Sequence, residues 1–196
     1  MEENAGTIIG VNGNMITVRF TGAVAQNEVG YAEVAGAAGA QRLMAEIVRI
    51  RGREADMQVF EDTRDLAVGD AVSFSGNLLA AELGPGLLKQ IYDGLQNPLP
   101  QLAAQCGFFL QRGTYLNALD REAEWAFTPC VKPGDRVTAG EALGTVPEGI
   151  FKHRIMVPFS FQGQWTVRSV VSAGAYRIAQ PIAVLADAAG REAEVT

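Results

Sequence analysis

Residues 7–20 read TIIGVNGNMITVRF, two runs of strand-forming residues on either side of a turn. In the second run, Ile16, Val18 and Phe20 alternate with other residues, the period-two pattern of a strand buried on one face. Between the runs, Asn12-Gly13 tolerates the positive φ angles that a two-residue type I′ turn requires. The stretch therefore predicts an antiparallel β-hairpin.

Further short strands follow this hairpin with little helical pattern between them. The candidate strands are residues 28–34, 43–50, 55–59 and 71–74. Closely spaced strands of this kind favour a small closed barrel, because closure leaves no sheet edge exposed. We therefore expect a β-barrel domain over residues 1–72.

The strand pattern stops at a Gly-Pro-Gly sequence, residues 84–86. Apolar residues at helical spacing follow it: Leu87, Leu88, Ile91, Tyr92 and Leu95. Asp93-Gly94 supplies a stop, and the prolines at 98 and 100 prevent continuation. We expect one short helix over residues 87–95, inside a linking segment that spans residues 73–107.

Strand-forming residues return after this linking segment. A Lys-Pro-Gly-Asp turn lies within residues 131–137, and short candidate strands separated by glycines follow at 140–146, 155–157, 165–171, 176–178 and 182–185. We expect a second compact β domain over residues 108–188. The small, polar residues 189–196 are expected to fray or to lead onward.

Composition and charge limit the classes of function. The chain has 196 residues, is 48% hydrophobic and carries a formal net charge of −6. Its Lys and Arg residues are scattered, whereas binding to nucleic acid needs clustered cations that displace counterions from phosphates. The acidic balance argues against adhesion to an anionic membrane, and no apolar run is long enough to span one. We expect neither nucleic-acid binding nor direct membrane insertion.

The start of the chain and its cysteines indicate a cytoplasmic protein. Met1-Glu2-Glu3-Asn4 is acidic and lacks the basic-then-apolar order of a signal peptide. Cys106 and Cys130 have no metal-ligand spacing and no local signature of a nucleophile. Reduced thiols of this kind are typical of the cytosol.

No motif in the sequence assembles a reactive site. His153, the only histidine, has no cluster of carboxylates or thiols nearby in sequence, so a structural role is favoured over one as a base or ligand. Glu61-Asp62-Thr63 is too small a group for an octahedral magnesium site. Core, interface or solvated roles are likewise expected for Cys106, Cys130, Glu122, Glu124, Trp125 and Trp165. We predict no catalytic, cofactor-binding or metal-binding residue.

The phosphate-binding loop of ATPases does not occur in these 196 residues. No Gly-x-x-x-x-Gly-Lys-Ser/Thr motif is present, and none of the lysines, Lys89, Lys132 and Lys152, follows a glycine. Cradling phosphates needs glycine-rich backbone donors, a lysine and a hydroxyl for magnesium. We therefore expect this chain to bind no nucleotide and no cofactor.

Several motifs nevertheless occur in one order along most of the chain. Residues 58–70 contain QVFEDT and VGD, residues 83–99 contain LGPGLL, IYDG and NPL, residues 109–148 contain FLQRG, ALDR, WAFTP, VKPGD and LGTVPE, and residues 153–176 contain HRIMVP and GAY. Together they resemble the N-terminal portion of the catalytic A subunit (alpha chain) of V/A-type rotary ATPases, ending before the phosphate loop. The third and fourth stretches are similar to the inserted "bulge" that distinguishes this catalytic subunit from its relatives.

The resemblance implies a role in a membrane-associated complex. It implies a barrel that contacts the B subunits and other A subunits in the catalytic head, and a bulge that contacts peripheral-stalk subunits. The full-length subunit would hydrolyse or synthesise ATP, coupled to proton or sodium movement, with Mg-ATP or ADP bound outside these residues. It would lie in the cytoplasm, peripheral to the membrane through the complex.

One alternative belongs to a different class. Residues 131–146 resemble the Gly-Asp turn of biotinyl- and lipoyl-type β modules, so the second domain is expected to be of barrel-sandwich type. The alternative function is a non-enzymatic binding or carrier domain. A carrier presents one lysine at a hairpin tip between Met residues or between Asp and Ala, and neither Lys132 nor Lys152 has such neighbours.

Overall fold

A computed structural model describes residues 4–36, 39–107 and 109–196. Within them lie fourteen strands and one helix, so the mainly β fold class is confirmed. The chain divides into two compact units. The first comprises Met1–Ala81 and Gln101–Tyr115, and the second comprises Glu82–Pro100 and Leu116–Thr196.

The first unit contains a closed barrel of six antiparallel strands. In chain order these are β1 (Ala5–Asn12), β2 (Met15–Phe20), β3 (Glu28–Gly36), β4 (Gly39–Arg51), β5 (Glu54–Val59) and β6 (Ala71–Leu78). Their order around the barrel is β1-β2-β5-β4-β3-β6, and β6 pairs with β1 to close it. The predicted barrel is therefore confirmed, although its last strand extends past the expected boundary at residue 72.

Alternation along the strands builds the barrel core. Ile16 and Val18 on β2 are fully buried, and Ile16 lies opposite the equally buried Met57 of β5. The intervening residues point to the other face, so a single apolar cluster fills the interior. Burial of such side chains contributes about 1.5–3 kcal/mol each, which makes this cluster the main source of the barrel's stability.

The predicted first hairpin is present, with its turn one residue later than expected. Asn12 pairs with Met15, so the two-residue loop is Gly13-Asn14 rather than Asn12-Gly13. Gly13 has a φ of 60°, a conformation that costs glycine little because it has no Cβ. Gly13 therefore correctly marked the turn in the sequence, and the pairing of Asn12 with Met15 makes it the first residue of the loop.

The short helix predicted at residues 87–95 is wrong. Lys89 and Gln96 have φ angles of 68° and 63°, which lie outside the right-handed helical region. The Asp93 side chain accepts the backbone N–H of Asn97 at 2.8 Å, and a side chain bonded in this way competes with helix formation. So short an apolar run also forms a marginal helix at best.

Helix α1 instead spans Leu99–Cys106. Pro100 suits its first turn because a helix leaves the N–H groups there without partners. Gly107 follows with a φ of 73° and donates its N–H to the carbonyl of Ala103 at 2.8 Å, which forms a left-handed C-terminal cap. The proline expected to stop a helix therefore helps to begin one.

The second unit contains two four-stranded sheets. Its strands are β7 (Glu124–Pro129), β8 (Arg136–Thr138), β9 (Ala142–Glu148), β10 (Phe151–Met156), β11 (Gln164–Val170), β12 (Gly174–Arg177), β13 (Ala183–Ala186) and β14 (Glu192–Val195). One sheet has the order β10-β9-β7-β12, and the other has the order β14-β13-β11-β8. This arrangement confirms a second, β-rich domain.

Two apolar clusters form the core of this unit. The larger one joins Leu143 of β9 to Trp165 of β11 and Leu185 of β13, so it draws on both sheets. The smaller one centres on Phe127, Val146 and Ile182. Residues from both sheets therefore share the interior, as in a sandwich.

The end of the chain differs from expectation. Residues 189–196 are expected from their composition to fray, but β14 lies there and pairs with β13 from Ala183↔Val195 to Ala186↔Glu192. Val195 is 3% exposed, and its burial in the larger cluster explains why the strand is ordered. Residue 108, where the predicted second domain begins, lies outside the described residues.

Candidate functional site

A buried carboxylate organises the second unit. Glu148, the last residue of β9, is 6% exposed. Its Oε1 atom accepts the backbone N–H of Gly86 at 2.7 Å and that of Leu88 at 3.0 Å. Both donors belong to residues 84–88, which we call the strap. Glu148 therefore holds the strap against the end of β9.

The second oxygen of this carboxylate faces the only histidine. Oε2 of Glu148 lies 2.9 Å from Nδ1 of His153, in β10. Burial raises the pKa of Glu148, but the N–H groups of Leu88 and Gly86, followed by His153, outweigh it, and the net pKa is lowered. The carboxylate is therefore charged at neutral pH and bonded through both oxygens.

This arrangement suits anchoring better than proton transfer. A general acid or base works best with a pKa near the working pH, whereas the pKa of Glu148 is moved away from neutrality. Its hydrogen-bond partners are two main-chain amides and an imidazole. We interpret the Glu148–His153 pair as a clasp on the strap.

A cavity of about 440 Å³ adjoins the strap. Its lining includes Leu83, Leu119, Trp125, Ile155, Phe159 and Tyr176. The Trp125 Nε1 atom is buried and has no hydrogen-bond partner among the described residues. Gly86 has a φ of 106°, and a Cβ there would lie 3.3 Å from the Trp125 ring, so glycine allows the strap to pass close to this side chain.

A second clasp lies within the barrel unit. The Tyr115 hydroxyl donates to Oε2 of Glu61 at 2.7 Å and accepts the N–H of Met44, on β4, at 2.7 Å. Glu61 also accepts the N–H of Gly113 at 3.0 Å. Burial is the main cause of a strongly raised pKa at Tyr115, and the hydrogen bond to Glu61 adds to it. These bonds fix residues 113–115 to the barrel.

Arg112 strengthens the same attachment. Its Nη2 atom donates to Oδ2 of Asp65 at 2.6 Å, and its Nε atom donates to Oε1 of Gln41 at 3.1 Å. The Arg112 side chain is 23% exposed, whereas that of Asp65 is 68% exposed, so the carboxylate end of this ion pair faces water. A guanidinium with several acceptors is a geometrically specific contact.

The three residues considered as a magnesium site point to separate partners. Glu61 bonds Tyr115, Asp62 forms an ion pair with Arg64 at 2.7 Å, and the Thr63 hydroxyl donates to the carbonyl of Gly13 at 2.6 Å. The backbone N–H of Arg64 is the first cause of the lowered pKa of Asp62. These side chains therefore shape the turn after β5.

The cysteines lie apart from any arrangement that would activate them. Cys106 ends α1, in the first unit, and Cys130 is exposed in the second unit, with its Sγ atom 3.1 Å from the carbonyl of Ala142. His153 bonds Glu148 instead of a thiol. Among residues 4–36, 39–107 and 109–196, no group of three or more His, Cys, Asp or Glu side chains could hold a metal ion.

The remaining candidates have structural or solvated environments. Trp165 is 4% exposed and donates its Nε1–H to the carbonyl of Gln162 at 3.1 Å, so it is a core residue. Glu122 forms an exposed ion pair with Arg177, and Glu124 is exposed on β7. The carrier alternative needs a lysine at a hairpin tip, but Lys152 lies in β10, and Lys132 lies in the loop between β7 and β8, which belong to different sheets.

Sequence reasoning missed Glu148 and Tyr115. A signal existed for Glu148, because the period-two pattern of β9 places it on the same face as buried Val146. A carboxylate at an inward position needs buried hydrogen-bond donors. No comparable signal existed for Tyr115, because its partners on β4 and after β5 are distant in sequence.

Two protein-family models match the chain. The model described as "ATP synthase alpha/beta family, beta-barrel domain" matches residues 8–76, and "ATPsynthase alpha/beta subunit barrel-sandwich domain" matches residues 116–196. The matched ranges coincide with the barrel and with most of the second unit. No helix in the described part of the chain is long and apolar enough to cross a bilayer.

Curated relatives extend this result to the whole chain. "V-type ATP synthase alpha chain 1" of Treponema pallidum is 55% identical over 196 residues, and "V-type ATP synthase alpha chain" of Treponema denticola is 52% identical over 196 residues. The corresponding protein of Borrelia hermsii is 50% identical over 194 residues. The matches cover 99–100% of this chain but 33% of each relative, so the chain spans a third of their length.

Proposed function

This chain belongs to the ATP synthase alpha/beta family, and we propose that it serves as the N-terminal assembly portion of the alpha chain of a V-type ATP synthase. The observation that carries this proposal is the match to such alpha chains along essentially the entire chain. No phosphate-loop motif lies in these 196 residues. We assign nucleotide chemistry to regions of the relatives that the chain does not match.

The barrel is proposed to join neighbouring components of the catalytic head, namely the B subunits and other A subunits. Closure supports this role, because β6 pairs back to β1 and the barrel meets its neighbours through side chains. Partly exposed apolar residues on the barrel unit provide contact area: Val48 is 44% exposed, Ile50 is 36% exposed and Val68 is 67% exposed.

The second unit is proposed to contact the peripheral stalk. Apolar side chains are unusually exposed on it, including Ile150 at 93% and Phe159 at 79%. Exposed apolar side chains of this size provide contact area for a partner. The clasp between Glu148 and the strap supports this role, because a stator contact must resist force without local opening.

The complete alpha chain is proposed to hydrolyse or synthesise ATP, coupled to proton or sodium movement. Mg-ATP or ADP would bind outside these residues, and the protein would lie in the cytoplasm, peripheral to the membrane through its complex. The names of the relatives support this activity.

Calorimetric titration with Mg-ATP tests whether nucleotide binds outside these 196 residues. The chain would be titrated beside the same protein extended through a phosphate loop taken from the Treponema pallidum relative. We expect no heat of binding from the chain and clear binding from the extended protein. Binding or turnover by the chain alone would contradict the proposal.

Reconstitution tests the assembly role. The extended protein would be mixed with the B subunits and the stalk subunits of the same complex and examined by native mass spectrometry. We expect a complex that contains all components. A protein that binds Mg-ATP but joins neither the B subunits nor the stalk would contradict the assembly role while leaving the nucleotide assignment intact.

A further inference from the structure

Strand β10 forms an open edge of its sheet. It is the first strand in the order β10-β9-β7-β12, so within the part of the chain that the structure describes only β9 pairs with it. At six residues, β10 is the longest of the four edge strands in the second unit and contains no proline. An open edge carries unpaired N–H and C=O groups along its length and is a template for another strand.

Apolar side chains cluster at the two ends of this edge. Ile150, in the β9–β10 turn, is 93% exposed, and Phe151, the first residue of β10, is 59% exposed. Met156, its last residue, is 41% exposed. Solvent-exposed side chains of this size provide apolar contact area for a partner.

Cations surround the same hairpin. Lys152 and Arg154 are exposed on β10. The Lys89 ammonium lies beside the turn of the hairpin, because its Nζ atom is 3.6 Å from where a Cβ on Gly149 would stand. None of these three cations forms an ion pair within the described residues. The Glu148 carboxylate of this hairpin is engaged by the strap. The edge is therefore locally positive in a chain whose net charge is −6.

The charge pattern disfavours in-register pairing with a second copy of this strand. Two β10 strands in antiparallel register around residue 153 would place Lys152 of each opposite Arg154 of the other. Like charges directly opposite each other destabilise a strand pair. Pairing of two copies in that register is thus unfavourable, whereas the two cations suit a strand of opposite charge.

We propose that β10 binds an extended, acidic segment of a partner subunit by strand addition. Carboxylates of that segment pair with Lys152 and Arg154, and its alternate apolar side chains contact Phe151 and Ile155 on the other face of the sheet. A segment matched to β10 is about 20 Å long, at roughly 3.3 Å per residue. This inference rests on the proposed function, because it assigns a binding chemistry to the unit that we propose contacts the stalk.

A peptide experiment tests the recognition chemistry. The probe is a capped peptide of alternating Val and Glu with the length of β10, and the matched control replaces each Glu with Lys. We expect calorimetric binding of the Glu peptide only, weakening as NaCl is raised, with slower hydrogen exchange at the β10 amides. Absence of binding, or equal binding of the two peptides, would overturn the proposal.

Charge reversal on β10 provides a second test of the proposed recognition. The double variant Lys152→Glu/Arg154→Glu is expected to bind the Glu peptide at least about tenfold more weakly and to gain binding to the Lys peptide. The matched control, Lys132→Glu/Arg136→Glu, reverses two exposed cations outside β10 and is expected to bind like the unmodified chain. Binding of the Lys peptide by the double variant shows that it has folded, and unchanged preference would overturn the proposal.

Reconstitution separates this inference from the proposed function. The extended protein carrying Lys152→Glu/Arg154→Glu is expected to join the B subunits but to lose the stalk subunits at a salt concentration that the unmodified complex survives. Equal retention of the stalk would overturn strand addition at β10 and leave the proposed function standing. Failure of the unmodified protein to assemble would instead overturn the proposed function.

Discussion

The Oε2 atom of Glu148 lies 2.9 Å from Nδ1 of His153, across the hairpin formed by β9 and β10. The same carboxylate accepts two backbone N–H groups of the strap. Because every one of these groups belongs to the second unit, the clasp is an internal feature of that unit. Its contribution to stability can be measured apart from any binding activity.

Replacing Glu148 with Ala should destabilise the second unit. The N–H groups of Gly86 and Leu88 would lose their acceptor. Gly86 is half-buried and Leu88 is exposed, so water replaces part of the lost bonding. We expect a loss of about 1–3 kcal/mol in the free energy of unfolding, measured by urea denaturation. The control, Glu194→Ala, changes an exposed carboxylate on β14 and should stay within about 0.5 kcal/mol of the unmodified chain.

The stability of the second unit should also depend on Glu148 as pH falls. Its pKa in the folded state is lowered from an ordinary 4.5, so the unfolded chain binds this proton more readily than the folded one. The stabilisation is therefore complete above about pH 4.5 and is lost as pH falls through the lowered pKa.

A comparison with Glu148→Gln isolates this effect. The difference in unfolding free energy between the unmodified chain and Glu148→Gln should be largest above pH 4.5 and should shrink at lower pH. Denaturant titrations at pH steps from neutral to acid would measure it. A difference that stays constant over that range would show that the carboxylate charge does not contribute.

Replacing Tyr115 with Phe should weaken the barrel unit. The change removes the donor to Glu61 and the acceptor for the N–H of Met44, which should cost about 1–3 kcal/mol in unfolding free energy. Tyr31→Phe is the matched control, because the Tyr31 ring packs edge-to-face on Tyr115 with centroids 6.3 Å apart and its removed hydroxyl is not part of this clasp. Equal losses in both variants would contradict the assigned hydrogen bonds.

Replacing Gly144 with Ala should overpack the second unit. A Cβ at this position would lie 2.2 Å from the ring of Phe127 and 2.7 Å from the carbonyl of Thr128. Because Phe127 is a core residue, we expect a loss of about 1–3 kcal/mol, visible as a lower Tm in calorimetry. Gly94→Ala is the control, since nothing lies within 4 Å of the added methyl group, and its Tm should change little.

Local pattern predicted the strands well and the helix poorly. The alternation of Ile16, Val18 and Phe20 matches their burial in β2, because a strand's side chains alternate between faces whatever the rest of the chain does. The apolar spacing at residues 87–95 resembled a helix, but positive φ at Lys89 and the hydrogen bonds of Asp93 gave it an irregular path. A short apolar stretch does not distinguish these outcomes.

The arrangement around Glu148 was not predicted from the sequence. The sequence favoured a structural role for His153 but did not indicate its contact with Glu148. It did not indicate that Glu148 would bond Gly86, which lies 62 residues earlier in the chain. Hydrogen bonds between such distant residues depend on how the strands and the strap pack, and no local spacing encodes them.

The sequence by itself determined the mainly β fold, the closed barrel, the second β domain and the family resemblance, because alternation, turn residues and motif order are properties of neighbouring residues. The tertiary structure alone decided which polar groups are satisfied in the interior and which edge stays open. Glu148 became an anchor because packing placed two backbone amides beside it. Strand β10 became an edge because, among the described residues, β9 is the one strand that pairs with it. Such placements depend on contacts between residues far apart in the chain, which a residue's neighbours do not specify.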